Sequence, residues 1–330
     1  MNYEPMYREA GHFQQSLKLD DIVKVCSIAF AGENKILEII EMGSGFFNNT
    51  YCITFQDYFK VMLRVSPNYP ELLYSHENHL MRGEYLIQPY FSVIGPYIPR
   101  VLFADFSRKH IDRDYMFQSF IEGLNWGELQ DRLSQEENES IWKQLGTIVN
   151  RINEVTNQHF GIPYPAPHYD KWSGYFINLL ENKLQDIHRF KLLDAEMLEY
   201  IGLVKQCIPW LDDISEAKLC HGDLWPNNIL VKQSEAGLQI SGILDMERAY
   251  WGDPMAEWTF SHFEYPERFW NTFGDRKDDS GEKIRKLIYK GDLFANAILE
   301  SVRFKYDPPN NELNAINMQL RGMLQGLSKD

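Results

Sequence analysis

Along the first third of the chain, apolar and polar residues alternate in short runs; beyond it, apolar residues recur at three- and four-residue spacing. The early runs Ile36 to Glu41, Tyr51 to Phe55 and Lys60 to Val65 predict strands, the first two joined across Gly43-Ser44-Gly45. A short helix is expected around Asp20 to Ala29 and a longer one over Leu72 to Phe91, followed by extended runs at Pro99 to Phe106 and Tyr115 to Ile121. From Ser134 onward helical spacing dominates: Glu137 to Thr156, Lys171 to Phe190, Asp194 to Leu211, Gly281 to Tyr306 and a last helix from about Glu312, after Pro308-Pro309. Within that helical half, Asn228 to Lys232 and Leu238 to Leu244 read as a hairpin turning at Ser234-Glu235-Ala236-Gly237. The charged run Asp275 to Glu282 reads as a loop. The pattern predicts an α+β protein of two lobes. A small antiparallel sheet with a helix occupies residues 1–121, and a larger, mainly helical lobe occupies 122–330, with the connection at about 118–123.

Composition narrows the class. At 330 residues, two lobes can each bury a core. The 44% hydrophobic and 24% charged shares are those of an ordinary globular protein. A net charge of -14 disfavours nucleic acid and anionic membranes as partners and is compatible with a cationic one, although acidity serves solubility equally well. Cys26, Cys52, Cys207 and Cys220 lie far apart with no paired spacing, which excludes a zinc motif and fits a reducing cytoplasm. The polar start, Met1 to Gln15, lacks the apolar core of a signal peptide, and no apolar run is long enough to span a membrane.

The chemistry concentrates in one segment. Phosphoryl transfer to a hydroxyl needs a carboxylate at the attacking oxygen and oxygen ligands for the Mg²⁺ that rides on the nucleotide phosphates. Asp223 stands in a loop, Asn228 opens a strand, and Asp245 follows the returning strand of the same hairpin, so the three groups converge. Leu219-Cys220-His221-Gly222-Asp223-Leu224-Trp225-Pro226-Asn227-Asn228, followed by Ile243-Leu244-Asp245-Met246-Glu247 and Gly252-Asp253-Pro254, resembles the catalytic and metal-binding run of the aminoglycoside-phosphotransferase family, within the protein-kinase-like fold. The resemblance implies that Asp223 is the catalytic base, that Asn228 and Asp245 hold Mg²⁺, and that His221 and Asp253 brace the loops. Trp225 is expected to pack beside the loop.

On the nucleotide side, Gly43, Gly45 and Asn48 sit between two strands, where they form either a phosphate-approaching loop or a plain hairpin turn. No Walker-type motif is present. Val61-Met62-Leu63-Arg64 resembles the V-A-I-K strand of the kinase-like fold, which places Met62 and Arg64 toward the nucleotide, Arg64 standing where lysine is usual; Lys60 shares that strand face and competes for the role. The resemblance implies a helix carboxylate paired with Arg64: Glu84, standing some way before the extended Pro99-Arg100-Val101-Leu102, with Glu77 as the reserve. It also implies that the backbone around Ser119 and Ile121 reads the base of ATP or GTP.

Between Asp245 and Glu282 ten Asp or Glu residues face four Lys or Arg, interleaved with aromatics. Glu247, Glu257 and Trp251 are therefore candidates to line the site of a cationic small molecule, such as an aminoglycoside or another antibiotic. Trp172, Tyr175 and Phe176 are candidates for an opposite wall or for core. Fructosamine-, choline- and homoserine-kinase-like substrates share the same core, and His-Gly-Asp-Leu-Trp resembles the fructosamine kinases in particular. A nucleotide-binding pseudokinase is the alternative that Arg64 raises.

Overall fold

The strict alternation of Lys60 to Val65 decides which side chains enter the core of the first lobe and which enter the cleft. The computed structural model describes residues 3–9, 12–31, 35–43, 45, 47–165, 169–274 and 279–327. Helix α1 (Leu19–Ala29) precedes strands β1 (Ile36–Met42), β2 (Asn49–Phe55) and β3 (Lys60–Val65). After helix α2 (Leu80–Ile87) come β4 (Val101–Asp105) and β5 (Tyr115–Ser119). The five strands form one antiparallel sheet in the order β1-β2-β3-β5-β4. Register pairs Leu63 with Tyr51 and Phe117, and Val61 with Ile53, so one face buries these residues against Ile22, Val25 and Cys26 of α1. The other face carries Met62, Arg64 and, on β5, Met116 and Gln118 toward the second lobe.

The second lobe begins with β6 (Leu124–Asn125) and α3 (Trp126–Leu129), then α4 (Gln135–Asn153) and β7 (Thr156–Asn157). Helices α5 (Trp172–Arg189), α6 (Ala195–Gln206) and α7 (Ile208–Asp212) lead to β8 (Ala217–Cys220). The hairpin β9 (Ile229–Ser234) and β10 (Gly237–Ile243) follows, then β11 (Tyr250–Gly252), α8 (Trp258–His262), α9 (Glu267–Phe273), α10 (Ser280–Phe304) and α11 (Asn310–Leu327). Ser134 and Glu137 form a reciprocal capping box at the start of α4, which satisfies two backbone donors and fixes the helix entry. Ile141, Leu145, Ile148, Val149 and Ile152 then supply its buried stripe. Strand β11 returns to pair with β8, so the hairpin between them hangs from a small sheet with both ends fixed.

Two sequence expectations change. Leu72 to Phe91 is not one helix: 3-10 turns at Pro70–Leu72 and Ser75–Glu77 precede His79, which is left-handed at φ 62°, and only Leu80–Ile87 is α-helical before a 3-10 stretch containing Pro89. A left-handed residue cannot continue a right-handed helix, and proline has no N–H to donate. Glu77 and Glu84 therefore do not share a helix face. Asp194 to Leu211 divides at Cys207, because Pro209 fits only the first turn of a new helix. The aromatic-rich stretch after Asp245 forms β11, α8 and α9, elements whose periodicity is masked by apolar residues on every side. Of the expected glycine loop, Ser44 and Phe46 lie outside the described residues, as do 275–278 of the expected Asp275 to Glu282 loop.

The buried residues form two clusters. The sheet and α1 make one. The other runs through the helical lobe and also takes in Tyr74, Ile87, Phe91, Ile94 and Ile98. The segment carrying α2 is thus packed on the second lobe while its Glu84 reaches the first. No helix among the described residues is long and apolar enough to cross a membrane.

Candidate active site

Arg64 leaves β3 on the cleft side and is buried, 8% exposed. Its Nη1 donates to both oxygens of Glu84, at 2.8 and 2.6 Å, and its Nη2 donates to Asp245 Oδ1 at 2.6 Å and Glu247 Oε2 at 2.8 Å. Gln118, its neighbour on the same sheet face, donates to Glu84 Oε1 at 2.9 Å. Asn48, from the loop between β1 and β2, donates to Glu247 Oε2 at 2.5 Å. One guanidinium thus joins α2, the sheet and the turn after β10. Burial alone would favour a neutral guanidine, but the surrounding carboxylates outweigh it and the Arg64 pKa rises further above its ordinary value. Glu77, the reserve candidate, is bound instead by Arg303 through two hydrogen bonds of 2.7 Å. Lys60 is exposed, its ammonium 5.3 Å from the centre of the Phe120 ring, away from this cluster.

The second half of the site is the loop between β8 and β9. Gly222 has φ +81°, and a Cβ there would lie 2.1 Å from the carbonyl oxygen of Arg248, so only glycine lets this loop press on the turn Met246–Arg248. The Gly222 N–H donates to Glu257 Oε1 at 2.8 Å. Asp223 accepts from Trp258 Nε1 on Oδ1 and from Asn228 Nδ2 on Oδ2, each at 2.9 Å. Burial pushes the Asp223 carboxyl up to about 6, although Arg248 pulls it down. The Leu244 N–H donates to the Asn228 carbonyl at 2.9 Å, which ties the two ends of the hairpin and sets Asp245, left-handed at φ 68°, beside Asn228. His221 is fully buried, its Nδ1 accepting from the Asp223 N–H at 3.3 Å, and burial holds its pKa down at about 4. Asp253 accepts from Tyr289 at 2.7 Å and from the Met255 N–H at 3.0 Å, with Arg285 at 3.2 Å.

The structure therefore gathers Asn48, Arg64, Glu84, Asp223, Asn228, Asp245 and Glu247 around one cleft. Met62 lies on the same sheet face, half-buried. Gly45 is fixed through its carbonyl, which accepts from Gln14 at 3.0 Å, and Gly43 packs against Met6. At the connection, Ser119 is engaged with Arg100: its N–H donates to the Arg100 carbonyl at 2.8 Å and its hydroxyl accepts from the Arg100 N–H at 2.9 Å. The backbone of Ile121 makes no hydrogen bond among the described residues. Gly123 just beyond is forced by close packing, since a Cβ would lie 2.4 Å from Ser241 Oγ. Two candidates for a substrate wall lie elsewhere. Glu257 is 1% exposed and turned to Gly222, and Trp251 is 4% exposed, its ring centre 5.0 Å from that of Tyr90. Sequence reasoning did not assign Trp258 to hold Asp223 or Gln118 to hold Glu84. The place of Gln118 two residues beyond Met116 on a cleft-facing strand was the available signal.

A small antiparallel lobe above a helical one, with a cation–carboxylate pair facing an Asp–Asn–Asp set, is the architecture of a kinase-like phosphotransferase. The chain belongs to the phosphotransferase enzyme family (APH), whose family model matches residues 42–287. It is a small-molecule phosphotransferase acting on hydroxyl groups. No curated protein sequence matches the chain. Among solved structures, a Thermobifida fusca protein assigned as a fructosamine-3-kinase is similar, with TM-score 0.64 and 13% identity over 92% of this chain and 99% of that one. A thermostable mutant of aminoglycoside phosphotransferase APH(4)-Ia, in ternary complex with AMP-PNP and hygromycin B, superimposes with TM-score 0.59 and 15% identity over 92% and 98%. The GDP complex of a mutant aminoglycoside 2'-phosphotransferase-IIIa gives 0.60 and 15% over 94% and 98%. At these identities the likeness is one of fold.

Proposed function

We propose that the chain transfers the γ-phosphoryl group of ATP or GTP to a hydroxyl of a small molecule, with Asp223 as the base. The observation that carries this reading is the placement of the Asp223 carboxylate. It is held on both oxygens by Trp258 and Asn228, in a loop tied to the turn that carries Asp245. The acceptor hydroxyl gives its proton to Asp223 as its oxygen bonds to the γ-phosphorus, and the bond from that phosphorus to the β-bridging oxygen breaks, releasing the nucleoside diphosphate. Arg64, locked by Glu84, supports the nucleotide phosphates, and the turn after β1 with Gly43, Gly45 and Asn48 lies over them. The lobes divide at 118–123, where the unpaired backbone of Ile121 suits the base edge better than the engaged Ser119.

A divalent metal fits this donor set. Asn228 uses its amide nitrogen on Asp223 and keeps its carbonyl oxygen for a ligand, and the carboxylates of Glu84, Asp245 and Glu247 have oxygens within 4.8 Å of one another, with the Arg64 cation between them. All-oxygen ligation suits a hard cation. Asn228 and Asp245 are the residues we assign to Mg²⁺, which when bound would neutralise charge on the phosphates. The cationic acceptor expected from Glu247 and Glu257 loses its support, because both carboxylates are engaged inside the protein.

The test is nucleotide consumption by the purified chain with Mg²⁺ and a broad panel of hydroxyl acceptors, alongside Asp223→Ala. Acceptor-dependent turnover that vanishes in the variant while nucleotide affinity survives is the expected result. Undiminished turnover in Asp223→Ala would sink the assignment of the base.

A further inference from the structure

We propose that the acceptor bears a carboxylate group, and that Arg248 receives it. This rests on the phosphotransferase reading of the site and names the substrate class.

Beside Asp223 lies a cavity of about 120 Å³, well below the roughly 300–1,000 Å³ of pockets for drug-sized ligands. Its lining includes Gly222 and Trp258 from the Asp223 side, Tyr175 and Lys183 from α5, Asn296 from α10, and Arg248. The charges on these walls cancel except at one point. Lys183 is paired with Asp292, and Glu247 with Arg64. Arg248 makes no hydrogen bond among the described residues, and its nearest carboxylate is Glu77 at 3.9 Å, itself already bound twice by Arg303. Asp223, Glu247 and Glu300 lie within electrostatic range of Arg248 but form no ion pair with it. Its side chain is 29% exposed, and its five donors are met by no close protein acceptor among the described residues.

His76 and Asn296, from the same lining, each carry a buried polar atom with no hydrogen-bond partner among the described residues, His76 Nδ1 and Asn296 Oδ1. A small cavity lined by one weakly paired arginine between aromatic walls suits a small guest with an anionic group. A carboxylate matches the planar fork of arginine with two parallel hydrogen bonds, whereas an ammonium group would be repelled by it. The hydroxyl to be phosphorylated would then lie on the Asp223 side of the same cavity.

The experiment uses the full chain with Mg²⁺ and ATP or GTP. The acceptors are L-homoserine, L-threonine, D-glycerate and 4-hydroxybutyrate, each compared with its primary amide, plus neutral sugars and amino sugars. We expect at least one hydroxy acid to be phosphorylated on its hydroxyl with kcat/KM about 100-fold above its amide, as for a site that loses a paired anion. Arg248→Gln should erase that ratio through KM, and Arg248→Lys should restore part of it. Transfer to amides as fast as to acids, or transfer only to sugars or amines, would overturn the inference and leave the kinase reading intact. So would an Arg248→Gln loss in kcat shared equally by acid and amide, which would assign Arg248 to the transferred phosphoryl group. Nucleotide binding without transfer to any acceptor would count against both. The acid–amide comparison in the unsubstituted chain stands even if the Arg248 variants fold poorly.

Discussion

Two arginines flank the turn Asp245 to Arg248, and they are spent in opposite ways. Arg64 gives four hydrogen bonds of 2.6 to 2.8 Å to three carboxylates, each from a different element or position along the turn. Arg248, at the other end of that turn, gives none among the described residues and approaches one carboxylate at 3.9 Å. The same kind of side chain therefore forms a structural clasp where three carboxylates meet it and is left weakly paired where they do not. The sheet explains the first case: alternation on β3 forces Arg64 into the cleft, where α2 and the turn must answer its charge. Packing bears on the second: Gly222 lies against the Arg248 backbone, and Arg248 lines a cavity.

The largest effect should come from Asp223, whose carboxyl feels the charge of Arg248. Asp223→Ala should lower kcat by about 10⁴-fold with nucleotide affinity nearly unchanged, because the base acts in the transition state rather than in binding. Single-turnover kinetics with a working acceptor, together with a nucleotide titration, would separate the two; a loss of affinity equal to the loss of rate would deny Asp223 that role.

The clasp and the open group should part company in stability. Arg64→Met leaves three carboxylates facing one another in a buried site and should cost about 4 kcal/mol, as the breaking of a buried ion pair does. Arg248→Gln breaks no close pair and should cost less than about 1 kcal/mol. Urea denaturation of the two variants gives the comparison directly. Equal losses would mean that Arg248 has an unrecognised structural partner.

The convergence of Asp223, Asn228 and Asp245 was legible in the sequence because they lie within one short stretch, and a hairpin necessarily brings its ends together. Arg64 was legible for a similar reason: strand alternation fixes the face on which a side chain lies. The partner of Arg64 was not, since choosing Glu84 over Glu77 depends on a single left-handed residue, His79, that breaks an otherwise helical pattern. The acceptor side was the least legible. Counting acids between Asp245 and Glu282 pointed to a cationic guest, but charge along the chain does not reveal which carboxylates are turned inward. Glu247 and Glu257 satisfy Arg64 and Gly222, while the group left facing the cavity is a base, Arg248, in the middle of an acidic run.

Acidity should loosen the catalytic loop before it reaches the arginines. His221 is held neutral by burial, with a pKa down at about 4 against 6.5 for the free side chain, although the nearby Asp245 charge pulls it upward. The unfolded chain therefore takes up a proton near pH 6.5 that the folded chain refuses until about pH 4. Stability from this group is complete above pH 6.5 and is lost as the pH falls through that window. The contribution is about 3 kcal/mol. Other buried acids titrate in the same range, so the measurement is a difference: denaturation of the wild type and His221→Gln between pH 7.5 and 4.5, where the gap between them should narrow as the pH falls. A gap that stays constant would place the pH sensitivity elsewhere.

The smallest effect is expected at Lys60, and it sharpens the assignment of Arg64. Both residues lie on the cleft face of β3, four positions apart, and strand alternation alone cannot rank them. Position along the strand does: Lys60 begins β3 at the exposed end, over Phe120, whereas Arg64 lies where β3 passes Glu84 and the turn after β10. An exposed cation–π contact contributes about 0.5 kcal/mol, so Lys60→Ala should change stability by no more than that and leave nucleotide affinity within about twofold. Arg64→Lys should weaken the nucleotide more, since an ammonium cannot hold Glu84 through paired donors and still reach Asp245. A nucleotide titration across both variants ranks them. If Lys60→Ala weakens binding and Arg64→Lys does not, the phosphate-facing cation is Lys60, and Arg64 is a clasp and nothing more.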